Sequence, residues 1–544
     1  MQTPANAEQT PDRTAVSKRE MKWAIGVFLA LFALKAFAQI KRWPEEFGDS
    51  TYFAEMVGSI RHCGRPMTHV NASMVVALEA MYSAPAKTCA MDLGYLPIIN
   101  ELRLHVYTII YAIAPLSYVV PTQVLVPSLM VGSFVGLLAL VYFQARRLAV
   151  PVPWAAALCA LLSLHPAWKS SIFGQSYVDR LFLLTAFAYL SALSAARPRL
   201  LWIGLAGAAC TAVNDRTGML CAIITFGYLV LFPRRLMGLR LPVAIMGACF
   251  AALSYYFFHY FIINLATSFL PPLRHAFDFT DLQRRQLLLF GMAAVPLLLL
   301  AAWDWRALLL AVAMMGPNIF GNVGGAEKTG WETHYHSYYF PVLAWAALRG
   351  LAAALAWARA RTAMAWRRVF LPAAAGALIA YSLTLRPHDL GIAFGVDEAA
   401  QNPWTRSLSI LRDYLRPPGQ RPHNIFEDVS RAIPPGATVS MIESGMPTLL
   451  YPGRTLYLMP AGIDYADYLV LNVTGRDGPR YIYADISPYT DPVSRVKLNQ
   501  CLYARMRRGG FDLDHPTVFG PGYAVIKRFA NPAGEGSRGR GGRL

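Results

Sequence analysis

Residues 124–143 read Val-Leu-Val-Pro-Ser-Leu-Met-Val-Gly-Ser-Phe-Val-Gly-Leu-Leu-Ala-Leu-Val-Tyr-Phe, and two arginines, Arg146 and Arg147, follow shortly after. The stretch holds no charged residue. At 1.5 Å per residue it is long enough to cross the roughly 30 Å of hydrocarbon in a bilayer. Leu241–Ile263 and Leu287–Ala302 read the same way. The chain has 544 residues, of which 55% are hydrophobic and 15% charged, with the apolar residues in runs rather than in the alternation of a soluble core. Runs at 23–40, 124–143, 152–166, 178–196, 199–213, 217–232, 241–263, 287–302, 306–320, 338–357 and 369–385 predict about eleven spans.

Orientation follows from arginine. With the N-terminus in the cytoplasm, Arg146/Arg147, Arg197/Arg199, Arg234/Arg235/Arg240, Arg306 and Arg359/Arg361/Arg367/Arg368 all fall in cytoplasmic loops. The run His105–Val120 would invert everything after it if it crossed. It is short and interrupted by Pro115, so it is expected to lie in the interface. Residues 1–22 are then a cytoplasmic tail, 23–385 the transmembrane domain with a large external loop at 41–123, and 386–530 an external domain. Its text, a short helix at Ile425–Ile433 and strands at Thr438–Ile442, Thr455–Leu458, Tyr468–Leu471 and Tyr523–Ile526, predicts a small α/β fold. The Gly/Arg tail 531–544 is expected to be disordered. Lys18, Arg19 and Lys22 before the first run, with Ala36-Phe37-Ala38, resemble a cleavable signal, but a chain that crosses many times favours an uncleaved span.

The net charge of +18 does not call for nucleic acid, because much of the arginine excess sits in short loops where it orients helices. Of the seven cysteines, Cys159, Cys210, Cys221 and Cys249 lie in apolar runs. Cys63 and Cys89 share the first external loop, where a disulfide or two free thiols are both open.

Under this topology the external helix ends collect the polar chemistry: Glu45-Glu46 and Asp49, His165 and Lys169, Asp179-Arg180, Asn214-Asp215-Arg216, Glu327-Lys328, and His334-Tyr335-His336. A carboxylate beside cations, where a lipid head meets water, suits group transfer from a lipid-linked donor: the acid takes a proton and the cations neutralise a phosphate leaving group. On that reading Asp49 or Glu46 is the catalytic base, and Arg180, Arg216, Lys169 and Lys328 hold the donor phosphate. His165, Asp179, Asp215, His334, Tyr335 and His336 would form the pocket. Each also has a structural reading, as a helix-end ion pair or a snorkelling side chain. Lys35, inside the first span, is expected to snorkel or to pair with a carboxylate.

Ile433–Ser440 (IPPGATVS), Tyr465–Leu471 (YADYLVL), Gly522–Arg528 (GYAVIKR), His334–Tyr339 (HYHSYY) and the Asn214-Asp215-Arg216 turn resemble a bacterial family of predicted polytopic membrane proteins of unknown function. The architecture resembles the GT-C glycosyltransferases. That resemblance implies an inner-membrane enzyme that moves a sugar, with inversion, from a polyprenyl-phosphate donor to an envelope glycan, lipid or protein acceptor. It implies the acid after the first span, Asp49, as general base. Many relatives carry a tight acidic pair there; here Glu45, Glu46 and Asp49 form a looser group, which leaves open a divalent cation such as Mg or Mn. Two other classes, a lipid or polymer transporter and a non-catalytic scaffold, share the polytopic composition. A transporter is expected to place ionisable residues at mid-bilayer in repeated halves.

Overall fold

A computed structural model describes residues 16–43, 49–73, 76, 98–165, 176–261, 291–292, 294–320, 336–361, 364–384, 403–417, 420–421, 424–441, 447–450, 453–474, 480–481, 492–519 and 523–529. Glu46, Cys89, Lys169, Lys328, His334, Tyr335 and the tail 531–544 lie outside them.

Helix α1 (Lys18–Arg42) starts five residues before the apolar run because Ser17 caps it, its Oγ accepting from the Glu20 amide at 3.0 Å. Then come α2 (Asp49–Cys63), the short antiparallel strands β1 (Met67–Thr68) and β2 (Ile99–Asn100), and a single turn, α3 (Ile110–Ile113), that continues as a 3₁₀ segment, Ala114–Tyr118. The run at 105–120 is therefore far too short to span, as its proline predicts. The bundle continues with α4 (Thr122–Arg147), α5 (Val152–Leu164), α6 (Leu181–Leu193), α7 (Leu200–Thr211), α8 (Thr217–Leu231), α9 (Arg240–Tyr256), a helical stretch at 294–301, α10 (Trp305–Phe320), α11 (His336–Arg361) and α12 (Met364–Thr384).

Among the described residues, four helices are long and apolar enough to cross a membrane: Lys18–Arg42, Thr122–Arg147, Met237–Tyr260 and His336–Ala360. Five shorter apolar helices, including α5, α7 and α8, accompany them. The chain is an α-helical polytopic membrane protein. Helix α11 is the axis of the bundle, buried on all sides from Tyr338 to Leu348. At Gly350 it touches the 294–301 backbone so closely that an added Cβ would sit 1.8 Å from the Leu300 carbonyl oxygen, the small-residue packing that lets membrane helices meet. Lys35 is buried within the protein, with its ammonium 5.7 Å from the Phe134 ring centre.

After α13 (Pro403–Leu415) and α14 (Ile425–Ala432) the chain forms a mixed sheet of order β4-β3-β5-β8-β7, with β6 (Arg480–Tyr481) paired to β5. Strand β3 (Thr438–Met441) runs parallel to β4 (Thr455–Leu458) and β5 (Tyr468–Thr474), while β8 (Tyr523–Lys527) is antiparallel to β5 and β7 (Thr517–Phe519). Side chains alternate between faces. Leu469, Leu471 and Ile526 pack on Leu502 and Met506 of α15 (Pro492–Arg508), and Val439, Val470 and Val525 join the core that runs into the helical bundle. The sheet is the α/β unit the C-terminal text predicts.

This unit rests on the segment that follows α2. The Leu458 amide donates to Ser73 Oγ at 2.8 Å, and the His69 ring meets Tyr457 edge-on at 5.5 Å. Glu55 holds that segment together, accepting from Thr68 Oγ1, the His69 and Val70 amides, and pairing with His69 Nδ1 at 2.7 Å. Of the two states left open for Cys63, the structure shows the free thiol, its Sγ bonded to the Ser59 carbonyl, and the disulfide-bonded cysteine among the described residues is Cys501. Cys501 belongs to α15 of the sheet unit.

Candidate active site at the sunken helix ends

Helices α5, α6 and α7 have 13, 13 and 12 residues, about 20 Å of helix, so they stop well short of a full hydrocarbon crossing. Irregular backbone at such depth is stable only where protein surrounds it or where it lines a cavity. Asp179, Arg180, Asn214 and Asp215 occupy these ends, and all four are at least nine-tenths buried.

Asp179 lies in a 3₁₀ turn, Val178–Arg180, that leads into α6. Its Oδ1 accepts from Asn214 Nδ2 at 2.6 Å and from Tyr338 Oη at 2.8 Å, and Asn214 Nδ2 also reaches Tyr338 Oη at 3.2 Å. Three helices are thereby joined through one carboxylate oxygen. The turn is pinned to mid-bundle by Ser133 Oγ of α4, which donates to the Arg180 carbonyl at 2.6 Å.

The Asn214-Asp215-Arg216 turn connects α7 to α8. Asn214 Oδ1 accepts from the Arg216 amide at 2.8 Å, a side-chain turn typical of asparagine, and Thr217 Oγ1 accepts from the Asn214 amide at 3.1 Å. Asp215 faces His105, Nδ1 to Oδ1 at 3.4 Å, an ion pair rather than an aligned hydrogen bond. Burial works against the His105 imidazolium, but the Asp215 carboxylate outweighs it and holds the pKa above the ordinary histidine value. Burial likewise raises Asp215, but His105 and Arg216 outweigh it and keep it below the usual carboxylate range. Glu101, fully buried, accepts from Asn71 Nδ2 at 2.6 Å and adds its charge to the surroundings of His105.

The segment carrying His105 is locked onto the same turn, since the Ile109 amide and Thr108 Oγ1 both donate to the Ala212 carbonyl. Helix α2 sits above it, with Phe53 against Tyr107 at 5.0 Å, and Ser50 Oγ accepts from the Ser176 amide at 2.6 Å. Ser50, which follows Asp49 in α2, is thereby tied to Ser176, three residues before Asp179. His165, at the end of α5, packs on Phe340 of α11 at 5.1 Å, and His336, the first residue of α11, is fully buried.

The fold thus brings Asp179, Arg180, Asp215, Arg216, His165 and His336 to neighbouring helix ends, with the start of α2 alongside. His105 and Tyr338 belong to the cluster although the sequence marks one as interfacial and the other as span. The signal for both is a polar side chain at the edge of an apolar run. Among the described residues no group of three or more His, Cys, Asp and Glu side chains converges as a metal site. Asp215 is taken by His105 and Asp179 Oδ1 by Asn214 and Tyr338, so these carboxylates do not form the donor set a divalent cation needs.

No protein-family model and no curated protein sequence matches the chain. Among solved structures, it is similar to the arabinofuranosyltransferase AftD from Mycobacteria, determined by single-particle cryo-electron microscopy, with a TM-score of 0.43 and 13% identity over 95% of this chain. The chain spans 40% of the length of that enzyme. A likeness this slight assigns no activity.

Proposed function

We propose that this protein is an integral-membrane glycosyltransferase of the GT-C type, moving a sugar from a polyprenyl-phosphate donor to an envelope glycan, lipid or protein acceptor. The observation that carries this reading is the polar turn sunk at the ends of short apolar helices, where buried carboxylates and cations meet beside the start of α2. Polar groups are costly at that depth and are kept there for chemistry or passage. In this reading Asp49 takes the proton of an acceptor hydroxyl, whose oxygen attacks the anomeric carbon as the bond from sugar to phosphate breaks. The phosphate leaves with its charge met by Arg216, Arg180 and the His105 imidazolium, with Lys169 and Lys328 in the same role. Asp215 keeps His105 charged, and Asp179 holds the turn that carries Arg180.

The cytoplasmic N-terminus and extracytoplasmic sheet unit belong to the same proposal. The disulfide at Cys501 supports an oxidising surrounding for that unit. The decisive experiment is turnover of a panel of polyprenyl-phosphate sugars by the purified protein in lipid nanodiscs. Asp49→Asn is expected to lower turnover on the order of 10²- to 10⁴-fold with the fold intact. No donor binding and no turnover across a broad panel would end the transferase reading in favour of a transporter or scaffold.

A further inference from the structure

An apolar groove of about 670 Å³ opens between α5, the 294–301 stretch, α11 and α12, lined among others by Trp154, Leu161, Leu299, Trp303, Leu355 and Leu378. Its lining on α11 runs from Leu351 to Ala358, which is about 10 Å of helix, within the ~15 Å of one leaflet's hydrocarbon. It starts 13 residues beyond Tyr338, roughly 20 Å along α11 from the polar turns. On α11 the groove therefore lies toward the end away from the candidate active site, while on α5 its lining runs from Trp154 to Leu161, four residues before His165.

Its mouth has the chemistry of a membrane surface. Trp303 and Trp357 meet at 5.2 Å, and Trp154 completes an aromatic rim of the kind found at headgroup depth. Arg147, Arg306 and Arg359 are all exposed at this end. They are held together: Arg359 donates to the Ala149 carbonyl in the turn between α4 and α5 at 3.0 Å, and the Trp303–Trp357 contact joins the α10 start, with Arg306, to the α11 end. Among the described residues, the acids at this end are occupied, Asp304 by Arg349 at 2.7 Å and Glu20 by Arg146 at 2.5 Å. The three exposed arginines are left as a cationic rim over an apolar slot.

We propose that the groove is a binding site for one anionic phospholipid of the arginine-side leaflet, with an acyl chain in the slot and the phosphate at Arg306 and Arg359. Charge selects the headgroup, since a zwitterionic lipid offers the same chain and no net anion.

The test is native mass spectrometry of the full-length protein after exchange into phosphatidylglycerol or phosphatidylcholine of matched chains. The expected result is one retained phosphatidylglycerol, favoured over phosphatidylcholine, with the preference falling roughly fivefold for each arginine removed in Arg306→Ala and Arg359→Ala. Ala375→Phe and the milder Ala377→Leu, both on the α12 wall, are expected to lower retention of either lipid. Equal retention of the two lipids by wild type, an unchanged preference in the double arginine variant, or full retention in both wall variants would overturn the site. Displacement of phosphatidylglycerol by polyprenyl phosphate would also overturn it, by assigning the slot to a donor tail.

Discussion

At one end of the bundle Arg147, Arg306 and Arg359 stand exposed beside tryptophans; at the other, Asp179, Arg180, Asn214 and Asp215 are buried at the ends of helices too short to cross. The first end needs no partner, since guanidinium groups at a surface are hydrated and face lipid headgroups. The second has taken charge out of water and must satisfy it internally, which it does with Asn214, Tyr338 and His105. The same helices therefore present a surface-seeking end and an end of buried polar groups. The contrast places the polar machinery by energetics before any activity is considered.

The sharpest way to break this contrast is Asp179→Ala. It removes the buried acceptor that Asn214 Nδ2 and Tyr338 Oη share, and thermal unfolding in detergent is expected to show a loss of about 3 kcal/mol. A loss below about 1 kcal/mol would mean that the carboxylate is not the hub of the turn. Arg146→Ala probes the other end, where Arg146 Nε meets Glu20 Oε1 at 2.5 Å and Tyr142 Oη reaches the same oxygen. Partial exposure limits this pair, so the same measurement is expected to give about 1 kcal/mol with turnover unchanged.

Smaller still is the pH dependence of the His105–Asp215 pair. His105 has a raised pKa, so its contribution is complete below about pH 6.5 and fades as pH rises through the raised value. Asp215 has a lowered pKa, so its contribution is present above about pH 4 and fades as pH falls through the lowered value. Stability is expected to be greatest between those limits by less than about 1 kcal/mol, because His105 is part-exposed. In His105→Gln the alkaline decline should vanish, and a decline that persists would assign it elsewhere. The mildest probe is Cys63, exposed at the end of α2. A membrane-impermeant maleimide is expected to label it in intact cells with no loss of turnover, and labelling only after permeabilisation would invert the proposed topology.

What the sequence discloses and what it hides divide along the same line. Apolar runs such as 124–143 and 338–357 announce helices because burial in hydrocarbon depends only on local composition, and α4 and α11 appear where those runs lie. The polar turns are half legible. Asp179 and Asp215 show themselves as acids next to apolar text, but their partners Tyr338 and His105 are 159 residues from one and 110 from the other, a distance no local pattern carries. His105 is concealed further by an interfacial run that makes a tolerated histidine unremarkable. The state of Cys63, left open by the sequence, is a free thiol, and no local pattern marks Cys501 as the disulfide-bonded cysteine among the described residues.

The hydrogen bond from the Leu458 amide to Ser73 Oγ joins groups 385 residues apart. At ordinary synthesis rates of about 5–20 residues per second, the ribosome needs roughly 20 to 80 seconds to make the strand after Ser73 has left it. Throughout that interval the helices are being inserted while the platform behind α2 waits uncovered. A messenger truncated before β4 would yield a bundle that is embedded and bare on that platform, an apolar and hydrogen-bonding surface open to proteases and chaperones.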